Sequence, residues 1–240
     1  MSIKKTLAVA GATGFIGRWF IETYKHQYNI IALSRKKIST QNDIVEWRMV
    51  DLFSISSSVN ALQGVDYALY LVHSMQPSTR LNQGNFEDTD LLLADNFSRA
   101  AETCKLKHIV YVGGILPKDD LNISKHLKSR FEVEQVLGSR STPLTAVRAG
   151  IIIGPGGSSF RIVKRLVQNL PVMACPKWTK SKNQPVDLRI ALKSIEQIFG
   201  DEKFFNLPIE IGGSEIVTYM DILKITAKDC LNLKIIDEII

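Results

Sequence analysis

Three glycines near the amino terminus have the spacing of a backbone that approaches a phosphate. Gly11, Gly14 and Gly17 follow the apolar run at residues 7–10 and precede a helix-like pattern. We expect Gly11 to permit a tight turn, Gly14 to let a pyrophosphate approach backbone amides, and Gly17 to let the helix pack closely. The unpaired amides and the positive dipole end of that helix would then face an anion. A simple tight turn also recruits glycine, but the order of strand, glycines and helix favours a dinucleotide site.

Cations follow the second predicted strand. The apolar run at residues 28–34 predicts this strand, which ends at Ser34, and Arg35 and Lys36 come directly after it. A site selective for NAD usually has Asp or Glu at this point, where the acid binds the ribose hydroxyls. The cations would instead bind a 2′-phosphate, so we expect NADP(H) to be preferred over NAD(H). The other interpretation is a solvated basic turn.

Polar groups follow two further predicted strands, at residues 44–50 and 65–72. Asp51 would either accept a hydrogen bond from an adenine amino group or cap the following helix. His73 comes after the second of these strands, whose tip is expected beside the cofactor. The full set of expected cofactor contacts is Gly11, Thr13, Gly14, Phe15, Ile16, Gly17, Ser34, Arg35, Lys36, Asp51, Leu52, Val72, His73, Ser74 and Gly113.

Alternating strand and helix patterns predict the fold class. Over residues 1–170 they are typical of a doubly wound parallel sheet, the Rossmann fold. The helices nearest the site are expected at residues 86–104 and, after an N-cap at Ser124, up to residue 137. Beyond residue 170 the composition changes, and residues 171–240 are expected to form a small C-terminal α+β lobe. Packed on the carboxyl edge of the sheet within a single structural unit, this lobe would hold the substrate.

Composition excludes several classes of protein. The 240 residues carry a net charge of +6, but the basic residues are dispersed and no nucleic-acid-binding motif accompanies them. Three cysteines and four histidines lack the spacing of metal ligands, so we expect no metal site. No window has the roughly 18 uninterrupted apolar residues of a membrane span, and the amino terminus enters the glycine turn too early for a signal peptide. We therefore expect a cytoplasmic protein that binds a small molecule.

Several longer motifs carry a family resemblance. GATGFIG at 11–17 and SRKK at 34–37 resemble the short-chain dehydrogenase/reductase superfamily in its extended and atypical branches. YLVHSM at 70–75 and YVGGILP at 111–117 are more similar to bacterial NAD(P)H-binding proteins described as nucleoside-diphosphate-sugar-epimerase-like. The resemblance covers essentially the whole chain. It implies the Rossmann fold and a nicotinamide cofactor, but it points to no single reaction.

The catalytic residues of that superfamily are missing. The resemblance implies a tyrosine that passes a proton to the substrate, a lysine four residues later that lowers the tyrosine pKa, and a serine after the fifth strand. Here the matching helix carries His126 and Arg130, and Gly113 and Gly114 take the place of the serine. One interpretation makes His126 the acid or base, with Arg130 holding a ribose or an anionic substrate. The other makes both residues solvated neighbours on a helix.

Two functions of different classes follow from these observations. The first is an NADP(H)-dependent oxidoreductase acting on an unknown small carbonyl compound or a related substrate, with substrate contacts from Lys177, Trp178, Lys180 and Lys182. In the alternative interpretation, Trp178 covers the core of the lobe. The second function is a non-catalytic NADP(H)-sensing regulator or assembly factor, which the missing tyrosine favours. A homodimer is a common arrangement in the superfamily and is compatible with either function.

Overall fold

Strands and helices alternate along the chain in a computed structural model that describes residues 4–38, 44–73, 86–117, 123–169, 172–174, 177–230 and 236–238. The strands are β1 (Thr6–Ala10), β2 (Asn29–Ser34), β3 (Val45–Met49), β4 (Tyr67–Tyr70), β5 (His108–Gly114), β6 (Leu144–Ala149), β7 (Ile152–Ile153), β8 (Val172–Ala174), β9 (Lys182–Asn183), β10 (Val186–Asp187), β11 (Pro208–Ile211), β12 (Val217–Thr218) and β13 (Ile236–Glu238). The helices are α1 (Phe15–Tyr24), α2 (Ile55–Leu62), α3 (Phe86–Thr103), α4 (Lys125–Leu137), α5 (Ser158–Asn169), α6 (Leu188–Ile198) and α7 (Tyr219–Ile225).

One sheet contains seven of the strands, in the order β11-β6-β5-β4-β1-β2-β3. β1 pairs in parallel with both β2 and β4, and the pairs β2–β3 and β4–β5 are parallel as well. The strand order reverses between β1 and β4. In open α/β sheets the carboxyl ends at such a reversal border the crevice in which ligands bind. The predicted doubly wound Rossmann fold is confirmed.

The central strands are apolar because a parallel sheet is covered by helices on both faces. Leu7, Ala8 and Val9 of β1 are fully buried, and every residue of β5 is buried. The ring of Tyr70 in β4 packs against the ring of Phe97 in α3, with 4.9 Å between the centroids. This packing holds α3 against the middle of the sheet.

The two helices expected near the site form close to their predicted positions. α3 ends one residue before its predicted end, and α4 ends at Leu137 as predicted. Ser124 caps α4, because its side chain accepts a hydrogen bond from the N–H of Leu127 at 3.3 Å. Leu92 of α3 is exposed, whereas Leu93 is buried. Three consecutive leucines left the phase of this helix undetermined.

A buried histidine, His108, connects the amino end of β5 to neighbouring segments through hydrogen bonds. The N–H of Gly200 donates to His108 Nδ1 at 3.3 Å, and His108 Nε2 lies 2.9 Å from Thr145 Oγ1. The Thr145 hydroxyl donates in turn to the carbonyl of Phe204 at 2.5 Å. The ring of Phe205 lies against the imidazole, with 4.5 Å between the centroids. The segment after α6 is therefore held against β5 and β6.

Two compact units divide the chain, which crosses between them three times. The first unit contains residues 1–148 and 192–210, and the second contains residues 149–191 and 211–240. The composition predicts two consecutive segments that meet at residue 170. In the structure, each unit instead contains two separate stretches of the sequence. β11, at the edge of the sheet, is the strand that returns late in the chain.

In the second unit, α5 packs on α7. Val167, Leu223 and Ala227 form its buried cluster. Short strand pairs accompany the helices: β7 pairs with β10 and β8 with β13 in parallel, and β9 pairs with β12 in antiparallel. Across both units, none of the helices in the described residues is long and apolar enough to cross a membrane.

Candidate cofactor site

The glycine turn after β1 has the backbone conformation that its spacing predicts. Gly11 has φ +89°, in the left-handed region where a side chain is strained, and the N–H of Gly14 donates to the Gly11 carbonyl at 2.9 Å. A Cβ on Gly17 would collide with the same carbonyl oxygen and would lie 2.9 Å from the Ala12 Cα. The absence of a side chain at Gly17 therefore allows α1 to approach the turn closely.

The amino end of α1 is accessible to solvent. Gly14 occupies the N-cap position, no side chain caps the helix, and the first turn has no acidic residue. Thr13 and Gly14 are exposed, while Phe15 and Ile16 are half-buried. The first-turn amides have no partner within the helix, and the helix dipole adds partial positive charge there. These residues fit a pyrophosphate, which would accept hydrogen bonds from the backbone of the turn.

Two cations stand at the end of the strand beside β1. In the pairing of β1 with β2, Ala10 lies opposite Leu33. Ser34 ends β2, and its Oγ accepts a hydrogen bond from the N–H of Lys36 at 3.2 Å. Arg35 and Lys36 are exposed, and neither forms an ion pair with a carboxylate in the part of the chain that the structure describes. This arrangement is suited to a phosphate group, since both charges are available to a ligand.

The loop after β3 rules out one of the two roles predicted for Asp51, the helix cap. The carboxylate of Asp51 accepts a hydrogen bond from the N–H of Phe53 at 3.2 Å. Asp51 does not cap the following helix, because Ser54 occupies the N-cap position of α2. Asn96 of α3 is buried and donates to the carbonyl of Leu52 at 2.9 Å. Asn96 thus ties α3 to the loop that carries Asp51.

His73, which follows β4, is half-buried, and its imidazole is incompletely hydrogen-bonded. Its Nδ1 has no hydrogen-bond partner among the described residues, and its ring lies 6.0 Å from the ring of Tyr111. Burial, and then the charge of Arg130, lower the pKa of His73 to about 3, against the opposing effect of a hydrogen bond to the Val112 backbone. The imidazole is therefore neutral at neutral pH. Its neighbour Ser74, another expected contact, lies outside the described residues, whereas Val72 packs half-buried against the core.

The two residues of the predicted catalytic pair, His126 and Arg130, differ in their exposure to solvent. His126 is exposed in the first turn of α4, whereas Arg130, one turn later, is half-buried. A Cβ added at Gly114 would lie 3.9 Å from Arg130 Nη1, and the Tyr111 hydroxyl donates to the Arg130 carbonyl at 3.2 Å. The fold therefore brings the guanidinium of Arg130 to the carboxyl end of β5. Gly113, on the same strand end, would place a Cβ 3.1 Å from the Tyr111 ring.

Sequence reasoning missed a group of buried polar side chains near this strand end. Tyr70, Asp90 and Tyr111 are all buried. Burial raises the pKa of both tyrosines, and the charge of Asp90 raises it further. The hydroxyl of Tyr70 has no partner among the described residues. Tyrosine within an apolar strand is indistinguishable from ordinary core, so the one available signal was the acidic residue on the apolar face of α3.

In the second unit, the expected substrate contacts are only partly described. Lys180 and Lys182 are exposed, while the side chains of Lys177 and Trp178 lie outside the described part of the chain. A cavity of about 310 Å³ in the same unit is lined mainly by apolar side chains on and around α5 and α7. Among the side chains that the structure describes, no three from His, Cys, Asp and Glu come together to hold a metal ion.

Comparison with known proteins supplies a family and a relative. The sequence model of the NAD dependent epimerase/dehydratase family matches residues 7–126. The auxiliary protein GraX of Staphylococcus aureus (strain NCTC 8325 / PS 47) is 28% identical over 146 residues, which make up 59% of this chain and 43% of that protein. The match thus spans less than half of the length of this relative.

Solved structures share the fold over almost the whole chain. UDP-N-acetylglucosamine 4-epimerase from Bacillus cereus has a TM-score of 0.75 at 19% identity, over 98% of this chain and 85% of the other. A nucleoside-diphosphate-sugar epimerase from Staphylococcus aureus has a TM-score of 0.78 at 15% identity, over 98% and 80%. WbmG from Bordetella bronchiseptica, in complex with NAD, has a TM-score of 0.79 at 10% identity, over 98% and 82%. At these identities the likeness establishes the fold alone. Since the family model matches half of the sequence, the chain belongs to the NAD dependent epimerase/dehydratase family, within the extended short-chain dehydrogenase/reductase superfamily.

Proposed function

We propose that the first unit binds a nicotinamide dinucleotide, with the pyrophosphate on the turn from Gly11 to Gly17, and that NADP(H) is preferred over NAD(H). The observation that carries this proposal is the turn itself, in which Gly11 has φ +89° and α1 begins without a side-chain cap or an acidic residue. Such a helix start is suited to binding an anion, because its unpaired amides and the helix dipole face the ligand. WbmG, a structural neighbour, is known in complex with NAD, which supports a cofactor of this chemical class.

The preference for NADP(H) rests on the end of β2. Arg35 and Lys36 are exposed there, where an NAD site usually has an acidic residue that binds the ribose hydroxyls. A 2′-phosphate would form charge-assisted hydrogen bonds with these two side chains. Each bond of this kind contributes about 1.5–3 kcal/mol, so the expected preference is at least about tenfold.

We further propose that the protein is an oxidoreductase for a small carbonyl compound or a related substrate. When bound, the dinucleotide supplies the hydride or accepts it. His126 is the proposed proton donor or acceptor, and Arg130 is proposed to hold the ribose or an anionic substrate. Arg130 cannot pass on a proton, since a guanidinium stays charged in proteins. His73 is half-buried and neutral, and its Nδ1 is proposed to accept a hydrogen bond from a ligand hydroxyl.

The first test is a titration of the purified protein with NADPH and with NADH, followed by nicotinamide fluorescence. NADPH is expected to bind at least about tenfold more tightly, and Arg35→Ala is expected to reduce this preference, since Lys36 remains. Lys128→Ala, which removes an exposed cation from α4, is the matched control and should behave like the wild type. If neither nucleotide binds, the cofactor proposal is wrong, and a nicotinamide-dependent oxidoreductase and a nicotinamide sensor are both excluded.

A second candidate function is a non-catalytic NADP(H) sensor or assembly factor. It is favoured by the replacement of the catalytic tyrosine and lysine with His126 and Arg130. It is also favoured by the 28% identity with GraX, a protein named as an auxiliary protein. In this function nucleotide occupancy would alter a surface that a partner recognises, and no substrate would be consumed.

Consumption of NADPH separates the two functions. The protein is mixed with NADPH and a panel of small carbonyl compounds, and absorbance of the reduced nicotinamide is followed for the wild type and for His126→Ala. Consumption that falls in the variant supports the oxidoreductase and the role of His126. Consumption that is equal in both proteins removes His126 from the mechanism, and nucleotide binding without any consumption favours the sensor.

A further inference from the structure

Arg130 brings a positive charge to the carboxyl end of β5. No carboxylate in the described residues forms an ion pair with its guanidinium. The acid one turn further along α4, Glu134, is already engaged by Arg148 through two hydrogen bonds of 3.1 and 2.7 Å. The guanidinium of Arg130 is therefore available to a ligand.

The charge of Arg130 acts on the half-buried ring of His73 and on the buried ring of Tyr111. It lowers the pKa of His73 and that of Tyr111, in each case after the larger effect of burial. Asp90 acts on Tyr111 in the opposite direction, but it does not pair with the guanidinium. A partly buried cation without an acid is stabilised when an anion binds beside it. A planar guanidinium prefers an oxyanion that it can bind through two parallel hydrogen bonds.

The surroundings of Arg130 offer one further polar atom to such a ligand. Gly113 and Gly114 have no side chains of their own at the end of β5, and Tyr111 and Leu127 pack beside them. Tyr111 holds the Arg130 backbone through its hydroxyl. His73 Nδ1 is buried and has no partner within the described chain. The hydrogen bond between His73 and the Val112 backbone raises the pKa of His73, so the imidazole is the donor in that bond. Since Nδ1 has no partner in that part of the chain, the donor is Nε2. In the neutral ring Nδ1 is then an acceptor.

We propose that Arg130 binds a carboxylate or phosphate group of the substrate, while His73 Nδ1 accepts a hydrogen bond from a hydroxyl of the same molecule. The substrate class is then a small hydroxy acid or hydroxy phosphate, which names the substrate of the oxidoreductase proposed above and rests on that function. This anion site is distinct from the pyrophosphate site. β4 separates β5 from β1, so the two sites are about 10 Å apart across the sheet.

The test measures binding of small anions by calorimetry to protein saturated with NADP⁺. Glycolate, acetate and inorganic phosphate are the probes, since glycolate differs from acetate by one hydroxyl. Arg130→Met is expected to weaken binding of all three at least about tenfold. His73→Phe is expected to remove only the advantage of glycolate over acetate. Tighter binding of phosphate assigns the phosphate class, and tighter binding of glycolate assigns the hydroxy acids.

Matched variants make the result specific. Lys128→Met removes a cation from the same helix and should bind the probes like the wild type. Arg130→Lys keeps the charge without the paired hydrogen bonds and should recover part of the affinity. If Arg130→Met is unfolded by circular dichroism, Arg130→Lys and His73→Phe decide the question. The proposal is overturned if the wild type binds no probe at tens of millimolar, or if these variants bind as well as the wild type.

Nucleotide fluorescence on the same proteins separates this proposal from the proposed function. If NADPH binds but anion binding does not depend on Arg130, only the anion site is wrong. If NADPH does not bind but glycolate binding is lost in Arg130→Met, the cofactor proposal fails and the anion site stands.

Discussion

At the scale of single residues, His108 is held in one tautomer by its neighbours. The N–H of Gly200 donates to Nδ1, so the proton of the neutral ring is on Nε2, which donates to Thr145 Oγ1. A protonated ring would turn Nδ1 into a second donor that faces another donor. The native structure therefore favours the neutral imidazole.

Replacing His108 with Asn should make stability less dependent on pH. Burial lowers the pKa of His108 from 6.5 to about 4, so the unfolded chain takes up a proton at a higher pH than the native protein does. The stabilisation is therefore complete above pH 6.5 and is lost as the pH falls towards 4, by about 3 kcal/mol in total. Urea unfolding at neutral pH and at several lower values measures this difference between variant and wild type.

His73, whose pKa is also lowered, contributes equally to the variant and to the wild type and cancels in the comparison. If His108→Asn and the wild type lose stability in parallel as the pH falls, the assigned tautomer is wrong.

Residue types were predictable near the site, but burial was not. The pattern after β4 placed His73 beside the ligand without indicating that Nδ1 would be buried and unpartnered among the described residues. The i, i+4 spacing placed His126 and Arg130 on one face, yet His126 is exposed while Arg130 is half-buried at the end of β5. Burial depends on the packing of α4 against the sheet, and a local pattern does not contain that information.

At the scale of elements, two glycines of the turn between β1 and α1 are expected to have different roles. Gly17 is required for packing, and Gly14 for nucleotide binding. Gly17→Ala should cost about 1–3 kcal/mol of stability, because its Cβ would collide with the Gly11 carbonyl. Gly14→Ala should cost less than about 1 kcal/mol, because Gly14 has φ −74°, yet it should weaken nucleotide binding. Urea unfolding and NADPH fluorescence together distinguish the two variants.

Each variant serves as the control for the other. Both add one methyl group to the same turn, so a difference between them reflects position alone. Equal loss of stability in the two variants would contradict the close approach inferred at Gly17. Unchanged NADPH affinity in Gly14→Ala would contradict the proposed pyrophosphate-binding site.

A partly buried ion pair positions α4 against β6. Arg148 bonds Glu134 at 2.7 and 3.1 Å, with both side chains less than one fifth exposed. Arg148 also lies over the ring of Phe131 at 5.7 Å. We expect a double-mutant cycle with Glu134→Gln and Arg148→Met to give a coupling energy of about 1–2 kcal/mol, measured by urea unfolding.

The exposed pair on the same helix is the comparison. Lys128 and Glu132 are 4.0 Å apart and largely solvated, so the same cycle on this pair should give less than about 0.5 kcal/mol. Similar values for the two cycles would mean that the partly buried pair contributes no more to positioning α4 than a surface contact does.

At the scale of the whole molecule, nucleotide binding should appear as thermal stability. At a hundredfold excess over Kd, a ligand adds about 2.7 kcal/mol, which raises Tm by roughly 5–10 °C in a protein of this size. NADPH should give this shift at a lower concentration than NADH, and Arg35→Ala should bring the two curves closer together. A Tm that is unaffected by either nucleotide would contradict binding to the native protein.

The alternation of strands and helices was enough to predict the Rossmann core, because both periodicities are strong in the first part of the chain. The interleaving of the two units was not predictable in the same way. β11 has four residues, and its place at the sheet edge depends on pairing with β6, which precedes it by almost 60 residues. A short strand that pairs over such a distance carries no local signal.

The late position of β11 in the sequence has a consequence for synthesis on the ribosome. The first unit lacks residues 192–210 until they emerge, after the whole of 149–191. At roughly 5–20 residues per second, the nascent sheet waits for several seconds with β6 as its open edge. During this interval the unpaired edge is exposed to other nascent chains, so cellular yield should depend on chaperones that shield this edge more than on the final stability of the fold.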